Sequence, residues 1–319
     1  MSKNYIISKL TNLKNWEKFE TNSPQSNIFS SKETLENFKD DVDLYEIRKG
    51  DEIKSLIYLY SEDKKKILSE PLIYSGILFG PKKNQKNCRY ISEKFNLIEI
   101  IIEKILLKYS FLEFNLHYNI DDIRPFQWLN YHNSEKPKFQ INNRFTSVIN
   151  TKHKTIDEIF EKFDDVKQRD IKKSEKNENI SFNYERNLKI LKELYLQTIE
   201  KSNSTISKKF LDQQINFLDT IYDQKKGFQT NILLNDKIVY CNFFSIHNNV
   251  ACYLYGAGDY KIKDRLVGTY CVWKSIEKCL EKNVYSIDLE GVNSPNRGSF
   301  KITFGGDLKN YYNLKIDLR

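Results

Sequence analysis

The pattern of apolar and polar residues predicts the same order of elements twice along the chain. In the first half, predicted strands lie at residues 44–50, 53–61, 71–80 and 111–118, with a helix near 91–108 before the last. In the second half, predicted strands lie at residues 228–235, 237–246, 250–258 and 284–290, with a helix near 264–282 before the last. Alternation with period two favours strands, and apolar residues three and four apart favour a helix.

The spacing of these elements repeats as well. From Gly80 to Phe111 is 31 residues, and from Gly256 to Ile287 is also 31. The match predicts a duplicated β-β-β-α-β unit, with chance agreement of common α/β spacings as the alternative. Because 319 residues suit two domains, we predict domains at 1–150 and 151–319.

The second predicted domain opens with a helical segment at residues 155–225. Thr155 precedes Asp157 and Glu158, as expected where a helix begins with a capping residue and acidic groups in its first turn. Residues 176–182 are polar and predict a turn with an exposed tip. The predicted fold class is α/β (α+β), with mixed, mainly antiparallel sheets flanked by helices.

Charge and composition restrict the function only broadly. The net charge of +8 permits an anionic partner, such as tRNA, a nucleotide-sugar diphosphate, CoA or an anionic membrane face. Five cysteines without metal-like spacing to the four histidines predict reduced core residues, no metal site and a cytoplasmic location. We expect no signal peptide at the start of the sequence and no transmembrane segment, since the most apolar run, 96–112, contains four charged residues.

Residues 290–312 are the most unusual stretch, because four of the protein's eleven glycines lie within 16 residues there. The stretch follows a predicted strand, and in α/β sheets ligands bind beyond the carboxyl ends of strands. Glycines let the backbone approach a ligand, while Arg297 and Lys301 supply charge for a phosphate or an oxyanion. The alternative is a structural loop whose glycines only satisfy turns.

This stretch resembles the C-terminal signature of the FemABX peptidyltransferases, a family related to the GNAT acyltransferases. The matching residues are Asp288-x-x-Gly291, Phe300-Lys301 and Phe304-Gly305-Gly306, with Tyr311 or Tyr312 beyond. Only residues 284–312 match specifically, whereas 27–38, 121–132 and 164–176 match loosely. The resemblance implies two GNAT-like units, but residues 155–225 are too short and too apolar for the long coiled-coil arm of some members.

Members of the family transfer an amino acid from aminoacyl-tRNA to an amine of a peptidoglycan precursor. The resemblance therefore implies a cell-envelope N-acyltransferase without a tightly bound cofactor, using aminoacyl-tRNA or acyl-CoA as co-substrate. The expected partners are a nucleotide- or lipid-linked envelope precursor, tRNA and a peripheral membrane contact. The alternatives are transfer from acyl-CoA or an acyl carrier protein to an amino sugar, and a catalytically silent binding subunit.

Three residues are the catalytic candidates. Lys301 occupies the position of the family's Phe-Lys pair, so we expect it to stabilise an oxyanion or to protonate the leaving group. On an extended chain, Phe300 and Lys301 would face opposite sides, with Lys301 in the site. Asp288 or Glu290 can accept the proton of the amine, although each is otherwise a structural group at a strand end.

The substrate-binding candidates are basic, aromatic or glycine residues in the matching segments, namely Lys32, Arg124, Trp128, Arg169, Arg297, Gly298 and Phe300. Trp128 can stack on a base or a sugar, and the basic residues can contact phosphate. A solvated helix face is the alternative for the basic residues at 167–173. Residues 265–270 match the GNAT turn for CoA pyrophosphate except at Tyr270, which we expect to crowd the phosphates.

Overall fold

The structure, a computed structural model, describes residues 5–61, 63–201, 205–262 and 265–319. The helices are α1 (Trp16–Glu20), α2 (Lys32–Asn37), α3 (Asn87–Lys104), α4 (Arg124–Trp128), α5 (Ile156–Phe160), α6 (Asp165–Glu175), α7 (Leu188–Lys201), α8 (Lys208–Asp223), α9 (Arg265–Glu281) and α10 (Pro295–Ile302). The strands are β1 (Tyr5–Leu10), β2 (Val42–Lys49), β3 (Glu52–Tyr60), β4 (Lys66–Ile67), β5 (Gly76–Phe79), β6 (Phe111–Asn115), β7 (Gln140–Asn150), β8 (Ile180–Asn183), β9 (Gly227–Leu234), β10 (Lys237–His247), β11 (Val250–Gly258), β12 (Ser286–Asp288) and β13 (Asp307–Asp317).

The first compact unit comprises residues 5–144 together with Asn310–Arg319. It contains an antiparallel sheet in the order β1-β2-β3-β5. Strand β6 pairs with β4 in parallel and with β13 antiparallel, so that Phe114 faces Leu314. Both side chains are fully buried in the core under α3. The last residues of the chain therefore complete a unit formed mostly by the first half.

The second compact unit comprises residues 145–309 and has the strand order β7-β12-β11-β10-β9-β8. Neighbouring strands are antiparallel except for the parallel pair β11 and β12. The hairpin between β9 and β10 turns at Asn235 and Asp236, with φ of 48° and 62°, as a two-residue turn requires. Helix α9 packs against β9 and β10 and buries Val272 and Ile276 in the core.

The predicted repeat of elements is present in the structure. The series β2, β3, β5, α3 and β6 in the first unit, with the short β4 inserted before β5, has its counterpart in β9, β10, β11, α9 and β12 in the second. The fold class, mixed and mainly antiparallel sheets with flanking helices, is confirmed. All five cysteines are free thiols, and four of them are buried.

Some elements differ from the sequence predictions. The turn predicted at residues 176–182 was wrong in its second half, because Ile180–Asn183 forms β8 at the edge of the second sheet. Ile180 is buried and the other three residues of β8 are exposed or half-buried, so four residues show no alternation that could be recognised in sequence. No helix within the described ranges has the length and apolar character that crossing a membrane requires.

Candidate functional site

The end of β12 holds a buried carboxylate. Asp288 is the last residue of β12 and is only 2% exposed. Its Oδ1 accepts hydrogen bonds from Thr146 Oγ1 and, at 2.8 Å, from the backbone N–H of Glu290. These donors stabilise the charged form of a carboxylate that burial would otherwise disfavour.

The chain turns sharply after Asp288. Glu290 has φ of 53° and Gly291 has φ of 36°, so two successive residues adopt left-handed backbone conformations. The turn presents the carbonyl oxygen of Glu290 to Lys301, whose Nζ donates a hydrogen bond to it at 2.9 Å. Lys301 is therefore tied to the chain that follows β12.

The expectation of an extended chain around Lys301 was wrong, because Pro295–Ile302 forms helix α10. Ser294 at the N-cap and Pro295 in the first turn are ordinary signals for a helix start, although Gly298 weakens the pattern. Successive residues of a helix point about 100° apart, since 3.6 residues make one turn. Phe300 accordingly packs on Phe304, with ring centroids 5.3 Å apart. The Lys301 side chain points to a different side of the helix, toward the Glu290 carbonyl oxygen.

The ammonium of Lys301 lies over an aromatic ring in a partly buried setting. Its Nζ is 4.8 Å from the centroid of the Tyr253 ring. Burial lowers the pKa of Lys301 below the ordinary lysine value, and Arg297 lowers it further. The carboxylates of Glu290 and Asp288 act in the opposite direction. Lys301 thus gives up its proton more readily than a lysine in water.

A pair of tyrosines that sequence analysis missed extends from Lys301. The hydroxyl oxygens of Tyr253 and Tyr240 are 3.4 Å apart, and burial raises the pKa of both phenols. The glycines of β11 make room for them: a Cβ on Gly256 would collide with the Tyr253 hydroxyl, and one on Gly258 would lie 2.5 Å from the Tyr240 ring. The alternating glycines of β11 were the available signal.

Strand β11 also has a bulge beside this site. Phe243 of β10 faces Tyr255 and Phe244 faces Tyr253, so Leu254 is the extra residue. A bulge twists the strand and takes the extra residue out of the regular ladder. A backbone N–H released in this way can donate to a developing oxyanion.

The glycines of residues 290–312 mostly allow the chain to pack closely against itself. A Cβ on Gly298 would lie 2.6 Å from the carbonyl oxygen of Val292, and one on Gly305 would collide with the carbonyl oxygen of Lys162. A Cβ on Gly306 would lie 2.5 Å from the Ser147 hydroxyl. These contacts support the structural explanation of the glycines. A substrate contact at Gly298 remains a prediction.

The remaining candidates of the second unit lie on two helices. Arg297 is exposed on α10, close enough to Lys301 and Tyr240 to influence their pKa values. Arg169 is exposed on α6, and its Nε donates to the Asp165 carbonyl oxygen at 3.3 Å. Arg297 therefore lies within electrostatic reach of Lys301.

The candidates of the first unit are paired with neighbouring side chains. Lys32 forms an ion pair with Glu36 at 3.7 Å. Arg124 donates two hydrogen bonds to Asp122, at 2.8 and 2.7 Å, and the same contact lowers the pKa of that carboxyl. Trp128 is 49% exposed and packs against Phe95 with ring centroids 5.3 Å apart. These pairings leave phosphate binding by Lys32 and Arg124 as a prediction.

The segment that resembles a CoA turn forms the start of α9. The side chain of Arg265 lies outside the described residues. The expectation that Tyr270 would crowd a pyrophosphate was wrong, because Tyr270 belongs to the core with 5% exposure and packs edge-on against the more exposed Phe182. Gly268 lies against the Tyr240 ring, with 3.2 Å between an added Cβ and the nearest ring carbon.

No protein-family model matches the chain, and no curated protein matches its sequence. Among solved structures it is similar to FemX, with a TM-score of 0.65, 12% identity and 96% of each chain covered. A tandem GNAT protein from the clavulanic acid biosynthesis pathway gives a TM-score of 0.56 at 9% identity over 98% of each chain. A GNAT-family acetyltransferase from Colwellia psychrerythraea gives 0.53 at 10% identity, over 98% of this chain and 100% of the other. The chain therefore has the FemABX/GNAT-like fold, built from two GNAT-like units.

Proposed function

We propose that the protein is an N-acyltransferase whose central group is Lys301. The observation that carries the proposal is the placement of its ammonium, 2.9 Å from the Glu290 carbonyl oxygen and over the Tyr253 ring. A desolvated ammonium with a lowered pKa can stabilise negative charge and can also release a proton. The GNAT-like fold supports acyl transfer as the reaction class by analogy.

In the proposed reaction, an uncharged amine attacks the carbonyl carbon of an activated acyl ester or thioester. A C–N bond forms, and the carbonyl oxygen becomes an oxyanion that the Lys301 ammonium and a backbone N–H near Leu254 stabilise. The C–O or C–S bond then breaks, and Lys301 donates a proton to the leaving group. We assign the amine proton to Glu290, because Glu290 is half-buried whereas Asp288 is only 2% exposed.

We assign an aminoacyl-tRNA as the first choice of acyl donor and an amine of a nucleotide- or lipid-linked envelope precursor as the acceptor. The net charge of +8 suits both of these anionic substrates. The exposed Arg297 is the cation best placed for donor phosphate, and Lys32, Arg124 and Arg169 remain candidates for acceptor phosphate. A cytoplasmic location and a peripheral membrane contact belong to the same proposal, since such precursors are made at the inner membrane face.

An acyl-CoA donor is the alternative that one observation favours. The burial of Tyr270 removes the steric objection to a pyrophosphate at the start of the 17-residue helix α9. Backbone N–H groups at a helix N-terminus attract phosphate. In this alternative the acceptor is an amino sugar of surface-polysaccharide synthesis, and the leaving group is the CoA thiol.

The experiment compares donors with one purified protein. Mixed aminoacyl-tRNA or acetyl-CoA is incubated with UDP-linked peptidoglycan precursor or with amino sugars, and the products are identified by mass spectrometry. Transfer that RNase abolishes supports the tRNA donor, and release of free CoA thiol supports the alternative. Binding of the UDP-linked precursor without turnover from either donor would contradict the proposed enzymatic activity. It would favour a catalytically silent binding subunit.

A further inference from the structure

Lys167 on α6 lies directly over the residue that precedes Lys301. Its Nζ is 4.0 Å from the centroid of the Phe300 ring and 5.2 Å from that of Phe304. The same ammonium donates to Thr269 Oγ1 in the first turns of α9, at 3.0 Å. One side chain therefore joins three helices around the candidate catalytic lysine.

Two backbone contacts fix the same junction. The N–H of Asp164, the N-cap residue of α6, donates to the carbonyl oxygen of Thr303 at 3.0 Å, immediately after α10 ends. Gly305 lies so close to the carbonyl oxygen of Lys162 that a side chain would not fit. The chain that leads into α6 thus contacts the chain that leaves α10 at two places, and Lys167 adds a contact to Phe300, the neighbour of Lys301.

The setting of Lys167 differs from that of the other cations on α6. Lys172 lies 5.5 Å from the Phe160 ring and is exposed, and Arg169 and Lys173 are also exposed. Lys167 is half-buried, and Thr269 beneath it is fully buried. Cation–π attraction strengthens as the cation loses water. The contact of Lys167 with Phe300 is therefore stronger than that of Lys172 with Phe160.

We propose that Lys167 is a positioning residue, whose ammonium clamps Phe300 and thereby fixes α10 and the direction of Lys301. The clamp itself is independent of what the protein catalyses, while its effect on turnover rests on the proposed acyl transfer. Fixing α10 keeps Lys301 against the Glu290 carbonyl oxygen and away from bulk water. That environment is what lowers the pKa of Lys301.

The first test is amide hydrogen exchange in the whole protein without substrate. Lys167→Met keeps a flexible side chain of similar length and removes the charge and the hydrogen bond. Exchange in residues 295–304 should rise about tenfold, the order expected for loss of a desolvated cation–π contact. Lys172→Met, the matched control on the same helix, should leave these amides unchanged, and Lys167→Arg should restore most of the protection. Unchanged exchange in Lys167→Met would overturn the clamp.

The second test measures the pKa of Lys301 directly, by the pH dependence of its acetylation with acetic anhydride, quantified by peptide mass spectrometry. In Lys167→Met the pKa should move up toward the ordinary lysine value, because a loosened α10 admits water. In Lys167→Arg and Lys172→Met it should stay low. An unmoved pKa would show that Lys167 only supports the fold. Neither test measures turnover. If Lys301→Ala turned over at the wild-type rate, the proposed function would fail, but the proposal for Lys167 would still be decided by these two tests alone.

Discussion

At the scale of single residues, glycines close together in sequence meet different constraints. Gly305 has φ of 69° and lies against the Lys162 carbonyl oxygen, so a methyl group there meets both strain and a collision. Gly291 has φ of 36°, but apart from its two chain neighbours no described residue lies within 4 Å of a Cβ built on it. Replacing each glycine by alanine therefore separates the energetic cost of a steric collision, present only at Gly305, from the cost of backbone strain, present at both.

We expect Gly305→Ala to lower the free energy of unfolding by about 2–4 kcal/mol, as the sum of overpacking and left-handed strain. Gly291→Ala should lower it by only about 1–2 kcal/mol, from strain alone. Urea unfolding followed by circular dichroism measures both. Equal losses of unfolding free energy in the two variants would mean that the close approach of Gly305 to the Lys162 carbonyl oxygen does not affect stability.

His117 gives the protein a predictable sensitivity to acid. It is 5% exposed, its Nδ1 accepts from the Asn119 N–H at 3.0 Å, and burial lowers its pKa to about 3. The unfolded chain binds this proton near pH 6.5, so unfolding takes up a proton between pH 6.5 and about 3 and stability falls as the pH falls. By pH 4.5 this amounts to about 2–3 kcal/mol.

His117→Asn removes the titration while its Oδ1 can still accept the same backbone hydrogen bond. The loss of unfolding free energy between pH 7 and pH 4.5 should therefore be smaller than in the wild type by about 2–3 kcal/mol. Parallel urea titrations at the two pH values provide the comparison. The same pH dependence in both proteins would rule out His117 as a neutral buried group.

Single residues were predictable from the sequence where chemistry and resemblance agreed. Lys301 was singled out by its position in the signature, and the structure gives it a partly buried setting near both candidate carboxylates. Tyr253 was not assigned to the site, because an aromatic residue in a strand is usually core. Lys167 was considered only as one of the basic residues at 167–173, which either contact phosphate or form a solvated helix face. Their importance depends on contacts between residues far apart in sequence.

At the scale of elements, the start of α6 is a point where a helix cap supports the site. Asp164 accepts a hydrogen bond from the Val166 N–H at 2.8 Å and places a negative charge at the helix N-terminus. Asp164→Ala should cost about 0.5–2 kcal/mol of unfolding free energy, while Asp164→Asn should cost little, because its side-chain oxygen still caps. Thermal unfolding of the two variants tests this. An Asn variant as unstable as the Ala variant would contradict the assignment of the cap.

Elements were predicted best where the local pattern of apolar and polar residues agrees with the position of the strand or helix in the fold. The limits of β9, β10, β11 and α9 lie within one residue of those predicted from the sequence. Helix α10 was missed because Gly298 and the neighbouring glycines suggested a loop, although Gly298, Gly305 and Gly306 each allow a close packing contact instead. Short edge strands such as β8 carry too few residues for a pattern.

At the scale of the whole molecule, the C-terminal residues complete the first unit. Leu314 on β13 faces Phe114 on β6, and both are fully buried in the same core. The repeat of elements was visible in sequence, but a strand pairing across 200 residues was not, since local patterns carry no information about distant partners.

Leu314→Ala should therefore destabilise the first unit by about 2–5 kcal/mol, the usual cost of a cavity at a fully buried leucine. Leu308→Ala, on the same strand but 55% exposed, should change the free energy of unfolding by less than about 0.5 kcal/mol. Hydrogen exchange of β6 in both variants shows which unit loses protection. Similar small effects at the two positions would contradict the assignment of Leu314 to that core.

The most direct test of the proposed function is the turnover of Lys301→Ala with saturating donor and acceptor. The loss of one preorganised donor to an oxyanion costs about 2.7–4 kcal/mol, so the rate should fall about 10²–10³-fold while the thermal unfolding midpoint stays near that of the wild type. Lys301→Arg should recover little, because a planar guanidinium does not occupy the position of an ammonium. Lys309→Ala, at an exposed lysine eight residues later, should keep the wild-type rate. A Lys301→Ala protein that turns over at the wild-type rate would contradict the catalytic role of Lys301.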